Sequence, residues 1–81
     1  MLEIYQKEGC PFCQKVRARL SELGLSWIAH SAEPGQRSTE VLKKISGEQK
    51  VPFLVDTDRN VMMPESDDIV EYINEHYARE A

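Results

Sequence analysis

Long apolar runs are absent from this 81-residue chain. The longest, Val51 to Val55, falls far short of the ~20 residues a membrane span needs, so no membrane partner is expected. The opening residues, Met1-Leu2-Glu3-Ile4-Tyr5, lack the basic and apolar stretches of a secretory leader. Basic residues are in the minority, ten Lys and Arg against fourteen Asp and Glu. The resulting charge of −4 and pI near 5.1 argue against general nucleic-acid binding. Histidine is limited to His30 and His76, whose separation is unlike the ligand spacing of common zinc modules, and no metal is expected. No stretch is Pro- or Ser-rich enough to be a linker, and there is no internal repeat. A soluble, cytosolic single domain spanning residues 1–81 is the expectation that remains.

What is present is unevenly placed. Residues 1–50 carry eight basic and six acidic side chains, whereas residues 51–81 carry two and eight. Both cysteines, Cys10 and Cys13, lie in the basic part. Solvated helix faces account for such a spread. A basic rim beside the cysteines would in addition favour thiolate and attract an anionic thiol substrate.

Periodicity predicts seven elements. Residues 2–5 alternate as a short strand, broken by Gly9-Cys10-Pro11. A helix starts at Pro11, with Cys13, Val16, Leu20 and Leu23 on one face and Gly24 as its stop. Leu25 to Ala29 form a second strand, and Ala32-Glu33-Pro34-Gly35 a loop. A second helix runs from Arg37 to Ser46, with Val41, Leu42 and Ile45 inward and Gly47 stopping it. Val51–Val55 and Val61–Met63 make a hairpin around the turn residues Asp56 to Asn60. Ser66 caps a last helix whose buried stripe is Ile69, Val70, Ile73 and Tyr77. The order β-α-β-α-β-β-α implies an α/β domain: a four-stranded mixed sheet with three helices on its two faces. Ligands of such sheets sit beyond the carboxyl ends of strands, where Cys10 falls.

Cys10-Pro11-Phe12-Cys13 carries the chemistry. At a helix N-terminus, orphan N–H groups and the helix dipole favour a thiolate at Cys10, and Lys7 adds a positive charge nearby. Cys13, one turn into the apolar face, is expected to be more buried and less acidic. Cys10 is therefore read as the attacking thiol and Cys13 as the resolving one. A structural disulfide would be out of place in a cytosolic chain.

The stretch LEIYQKEGCPFCQKVRARL, followed by KVPFLVD and PESDDIVEYI, resembles a glutaredoxin over essentially the whole chain. The resemblance implies a thioredoxin-like fold and a Cys10/Cys13 redox pair that exchanges thiols with glutathione. It also implies that Val51 pairs its backbone with the cysteinyl part of glutathione and that Pro52 is cis, although most X–Pro bonds are trans. Ser66 and Asp67 would hold the γ-glutamyl end, Lys7 and Arg37 the glycine carboxylate, with Phe12 as apolar cover. Ser66-Asp67-Asp68 is equally what an ordinary helix start looks like. Lys50 reads as a surface lysine, and His30, His76 and Trp27 receive no role. The chain departs from glutaredoxins at Phe12 (commonly Tyr), Lys50 (commonly Thr) and Pro64-Glu65 (commonly Gly-Gly). Pro64-Glu65-Ser66 instead resembles the N-terminal domain of glutathione transferases, which adds Glu65 to the glutathione-binding residues.

The function this implies is that of a cytoplasmic, monomeric thiol–disulfide oxidoreductase and electron carrier. Glutathione is co-substrate and no cofactor is bound. Disulfide-containing or glutathionylated proteins are the partners. Cys10 attacks the protein-side sulfur of a mixed disulfide, or one sulfur of a protein disulfide, and glutathione regenerates it. Two other readings stay open: a thioredoxin-like carrier served by a flavoprotein reductase, and a module binding glutathione and an iron–sulfur cluster without turnover.

Overall fold

A computed structural model describes residues 1–78. Its elements are β1 (Leu2–Gln6), α1 (Pro11–Glu22), β2 (Trp27–Ser31), α2 (Arg37–Ser46), β3 (Phe53–Asp56), β4 (Val61–Pro64) and α3 (Ser66–Tyr77). The order is the expected β-α-β-α-β-β-α of a thioredoxin-like fold. Across the sheet the strands run β2-β1-β3-β4. β1 pairs with β2 in parallel and with β3 antiparallel, and β3 pairs antiparallel with β4. No helix among the described residues is long and apolar enough to cross a membrane.

Alternation along the two central strands divides the interior. Leu2 and Ile4 of β1 and Leu54 of β3 face a core completed by Val16 and Leu20 of α1 and Ile69, Tyr72 and Ile73 of α3. Tyr5 and Phe53, one residue out of phase, join Ala32 and Leu42 in a smaller core under α2. Both faces of β1 are thus covered, and its burial is nearly continuous.

Several boundaries differ from the sequence expectation for identifiable reasons. β2 starts at Trp27, not Leu25, because Leu25 belongs to the end of α1. Its N–H donates to the Leu20 carbonyl at 3.0 Å, and the Gly24 N–H donates to that of Ser21 at 3.0 Å. Gly24 sits at φ +66°, the left-handed geometry this helix stop demands. β3 begins at Phe53, since Pro52 has no N–H to give a ladder. Val41 and Ile45, expected inward, are 39% and 36% exposed, and Thr39 is buried with Leu42 instead. The Thr39 hydroxyl donates to the Glu33 carbonyl, which ties the line of residues 39 and 42 against the sheet. Ser66 is the first helical residue of α3 and not its cap. Glu65 precedes the helix, and its carbonyl accepts the Ile69 N–H at 2.9 Å.

The largest departure is Asp56, expected in the turn but fully buried at the end of β3. Its carboxylate accepts the hydroxyls of Tyr72 and Tyr77, each at 2.6 Å, and the Asp58 N–H at 3.1 Å. Tyr77, expected as an apolar stripe residue, contributes its hydroxyl here, with Arg59 5.1 Å above its ring. Burial pushes the Asp56 carboxyl up, but the two phenols and the N–H groups of Asp58 and Arg59 outweigh it and hold the group below the usual carboxylate range. A carboxyl whose folded pKa is depressed stabilises the fold above its unfolded value of about 4 and ceases to do so as pH falls through the folded value. Asp56→Asn should therefore cost about 2–3 kcal/mol at pH 7. In urea titrations the gap to wild type should shrink at pH 3, and a pH-independent gap would show that the charge is not what stabilises.

Candidate functional site

The site grows from the carboxyl end of β1. After Gln6 the chain turns through Lys7 to Gly9, and the Cys10 N–H donates to the Lys7 carbonyl at 3.3 Å. Cys10 is the residue before α1, extended at φ −87° and ψ 119°, and Pro11 opens the helix where a missing N–H costs nothing. The Cys10 carbonyl accepts the Gln14 N–H at 3.0 Å, the first helical bond. Both thiols are free; Cys10 is half-buried and Cys13 wholly buried.

The two sulfurs have opposite acidities. Partial desolvation pushes the Cys10 thiol up, but the N–H of Cys13, the Cys13 thiol, the N–H of Phe12 and the charge of Lys7 together bring it below the ordinary value. Burial dominates at Cys13, and with Cys10 as hydrogen-bond partner and neighbouring charge it is pushed up to about 11, against the opposing pull of Lys7 and Arg17. Of the two, Cys10 is therefore the thiol that ionises first and Cys13 the one that keeps its proton longer.

Beside the thiols lies a cleft of about 260 Å³ lined by Phe12, Lys50, Val51, Pro52, Glu65, Ser66 and Asp67. It brings together six of the residues expected from sequence: Phe12, Val51, Pro52, Glu65, Ser66 and Asp67. The Val51–Pro52 bond is cis. Phe12, expected as half-exposed apolar cover, is 64% exposed and lines the cleft. Ser66 is 8% exposed at the start of α3. Glu65 holds φ +75°, a region side chains other than glycine seldom occupy, which turns the chain sharply from β4 into α3. Lys7 and Arg37 are not in the lining: Lys7 acts on Cys10 from the loop, and Arg37 opens α2.

Sequence reasoning missed two basic residues of this site. Lys50, expected as a plain surface lysine, lines the cleft and forms an ion pair with Glu65. Glu65 raises the Lys50 pKa first through the hydrogen bond and then through its charge. Lys15 of α1 forms an ion pair with Asp67 of α3, fifty-two positions along the chain. The position of Lys50 directly before Val51-Pro52 was a signal; the Lys15 pairing had none, because it depends on how two helices pack. Among the described residues, no three His, Cys, Asp or Glu side chains gather as metal ligands.

Comparison with known proteins follows these features. Residues 4–81 match the family described as glutathione S-transferase, N-terminal domain. The chain is 37% identical over 51 residues to Glutaredoxin 3 of Escherichia coli, a stretch covering 63% of this chain and 61% of that protein. Among solved structures, glutaredoxin 2 from Salmonella typhimurium in complex with glutathione superposes with a TM-score of 0.77 at 27% identity. That match covers 91% of this chain and 33% of the other. Glutathione S-transferase 1-6 from Anopheles dirus species B gives a TM-score of 0.83 at 25% identity, covering 96% and 37%. The chain thus spans about three fifths of the curated relative and about a third of the solved chains. With all but its first three residues matched, the chain belongs to the family of glutathione S-transferase N-terminal domains.

Proposed function

We propose that this protein is a glutathione-dependent thiol–disulfide oxidoreductase acting on glutathione mixed disulfides and protein disulfides. The observation that carries the reading is the opposed pKa shifts of two thiols, Cys10 lowered and Cys13 raised, beside a cleft of about 260 Å³. Each part of the cleft has a chemical counterpart in glutathione. The free backbone of Val51 pairs with the extended cysteinyl part, as in strand addition. The start of α3 at Ser66 receives the α-carboxylate of the γ-glutamyl end, and Glu65 and Asp67 its ammonium. Lys7, Lys50 and Arg37 supply positive charge for the glycine carboxylate.

The cleft also revises the point of attack. Because it takes the glutathionyl half, the Cys10 thiolate attacks the glutathionyl sulfur, not the protein-side sulfur expected from sequence. The S–S bond to the protein breaks as the Cys10–glutathione bond forms, and the protein thiolate leaves to take a proton from water. A second glutathione thiolate attacks the bound glutathionyl sulfur, giving glutathione disulfide and freeing Cys10. With a protein disulfide, Cys13 must lose its proton and attack the mixed disulfide at Cys10. The resulting Cys10–Cys13 disulfide is then reduced by two glutathione molecules. The raised pKa of Cys13 makes that second route the slower one. The protein acts in this scheme as a monomer in a reducing, cytoplasmic setting, with no bound cofactor.

Reduction of a small glutathione mixed disulfide, coupled to glutathione reductase, tests the reading. Turnover should saturate with glutathione, be abolished in Cys10→Ser and persist within about twofold in Cys13→Ser, while reduction of a protein disulfide is lost in both. Activity retained in Cys10→Ser would overturn the assignment. Turnover that is indifferent to glutathione but supported by a flavoprotein reductase would replace it with the carrier reading.

Two further outcomes follow from the geometry. Alkylation of Cys10 by iodoacetamide should rise with pH and level off with a midpoint below the ordinary thiol value of about 8.5. Ser66→Ala, removing a buried hydroxyl at the γ-glutamyl end, should raise the KM for glutathione by roughly fivefold, or about 1 kcal/mol, with kcat little changed. An unaltered KM would remove Ser66 from the binding residues.

A further inference from the structure

Arg17 lies on α1 one turn beyond Cys13, outside the cleft lining, and the thiol-exchange scheme gives it no role. Its guanidinium nevertheless converges on the segment that delivers Cys10. One terminal nitrogen donates to the Gln6 side-chain carbonyl and to the Lys7 backbone carbonyl, the latter at 3.3 Å. The other donates to the Glu8 backbone carbonyl at 3.2 Å. Gln6 is itself only 4% exposed, and its amide donates to Glu8 Oε2 at 3.0 Å. The carbonyl of Lys7 is shared, for it also accepts the Cys10 N–H. One planar fork therefore grips three consecutive residues, the last of β1 and the first two of the loop, and the last hydrogen bond in that chain is donated by the N–H of the nucleophile.

We infer that Arg17 is a positioning residue that braces the loop Gln6–Glu8 and so holds both Cys10 and Lys7 in place at the start of α1. A guanidinium suits this task where an ammonium does not. Its rigid fan of donors can satisfy two backbone carbonyls and an amide oxygen at once, whereas a lysine offers a point charge on a flexible stem. Backbone carbonyls in a turn also need donors, and Arg17 supplies one to each of Lys7 and Glu8. Lys7 helps to lower the Cys10 pKa only while the loop keeps its ammonium near the sulfur. Arg17 thus acts on Cys10 through the loop, not by touching it. The catalytic meaning of this brace rests on the oxidoreductase reading; the brace itself does not.

The test is the pH profile of Cys10 alkylation by iodoacetamide, which uses no glutathione and no disulfide substrate. The profile is read on a Cys13→Ser background so that one thiol reports. Arg17→Met should move the midpoint upward and slow alkylation at pH 7 by roughly three- to tenfold. Arg17→Lys, which keeps the charge but not the fork, should show the same displacement. Asp56→Asn, destabilised at the far end of the sheet, should leave the profile where it is. A wild-type profile in Arg17→Met would overturn the inference. So would full rescue by Arg17→Lys, which would make charge alone the cause. If Arg17→Met does not fold, Arg17→Lys against Asp56→Asn carries the same comparison. The upward displacement in Arg17→Met, seen in a protein without turnover, would count against the proposed function and leave the brace standing.

Discussion

Everything at the reactive end depends on β1 being held from both sides and from both faces. It is the strand that pairs with β2 in one direction and β3 in the other, and its side chains alternate into two separate cores. A strand fixed in this way cannot slip by one residue without exchanging Ile4 for Tyr5 on opposite faces, so its register is set by burial. The position of its last residue, Gln6, is therefore fixed, and the short loop that follows has little freedom before α1 must begin. Cys10 meets the first turn of α1 as the direct consequence. The same sheet brings Val51-Pro52 alongside, because β3 runs antiparallel to β1 with Tyr5 opposite Phe53. Two segments forty residues apart in sequence thus share one edge of the site.

Electrostatics is divided along that axis. At the site end lie Cys10 and the positive charges of Lys7, Lys15 and Lys50. At the opposite end Asp56, opposite Leu2 in the register, gathers two phenols and the neighbouring N–H groups. Burial pushes Tyr72 and Tyr77 upward, and hydrogen bonding to Asp56 adds to it, so both stay protonated donors and the carboxylate stays charged. A buried charge is tolerable only when such donors satisfy it. This end of the sheet is a structural clasp between β3 and α3.

The division between what was legible in sequence and what was not follows the range of the interactions. Elements that rest on local patterning were readable: α1 from Pro11, α2 over Arg37 to Ser46, and the order of all seven. The pair of thiols and the segments around Val51-Pro52 and Glu65-Ser66 were readable too, because each is a short contiguous motif. Errors arose where a partner distant in sequence decides. Asp56 looked like a turn residue because two tyrosines on α3 were needed to make it a core residue. Val41 and Ile45 looked inward because nothing in the periodicity announces that Thr39 is tied to Glu33. Leu25 looked like a strand residue because its N–H is spent on a helix stop. Lys15 was invisible as a site residue for the same reason, since its partner Asp67 lies on another helix.

Lys15 and Lys50 change how the cleft meets a ligand. Glu65 and Asp67 are not bare carboxylates, since each already holds an ammonium from another part of the chain. Both pairs are solvent-exposed, so neither does much for the stability of the fold. Their effect is on exchange. A ligand bringing only an ammonium must displace a lysine and leaves that lysine unpaired. A ligand bringing only a carboxylate must draw a lysine away from its acid. A zwitterionic end brings both charges together, so every partner given up is replaced, and Coulomb energy changes little on binding. Selectivity then rests on whether the two ligand charges match the spacing of the acid and the lysine. That requirement favours a zwitterionic ligand over a simple cation or anion.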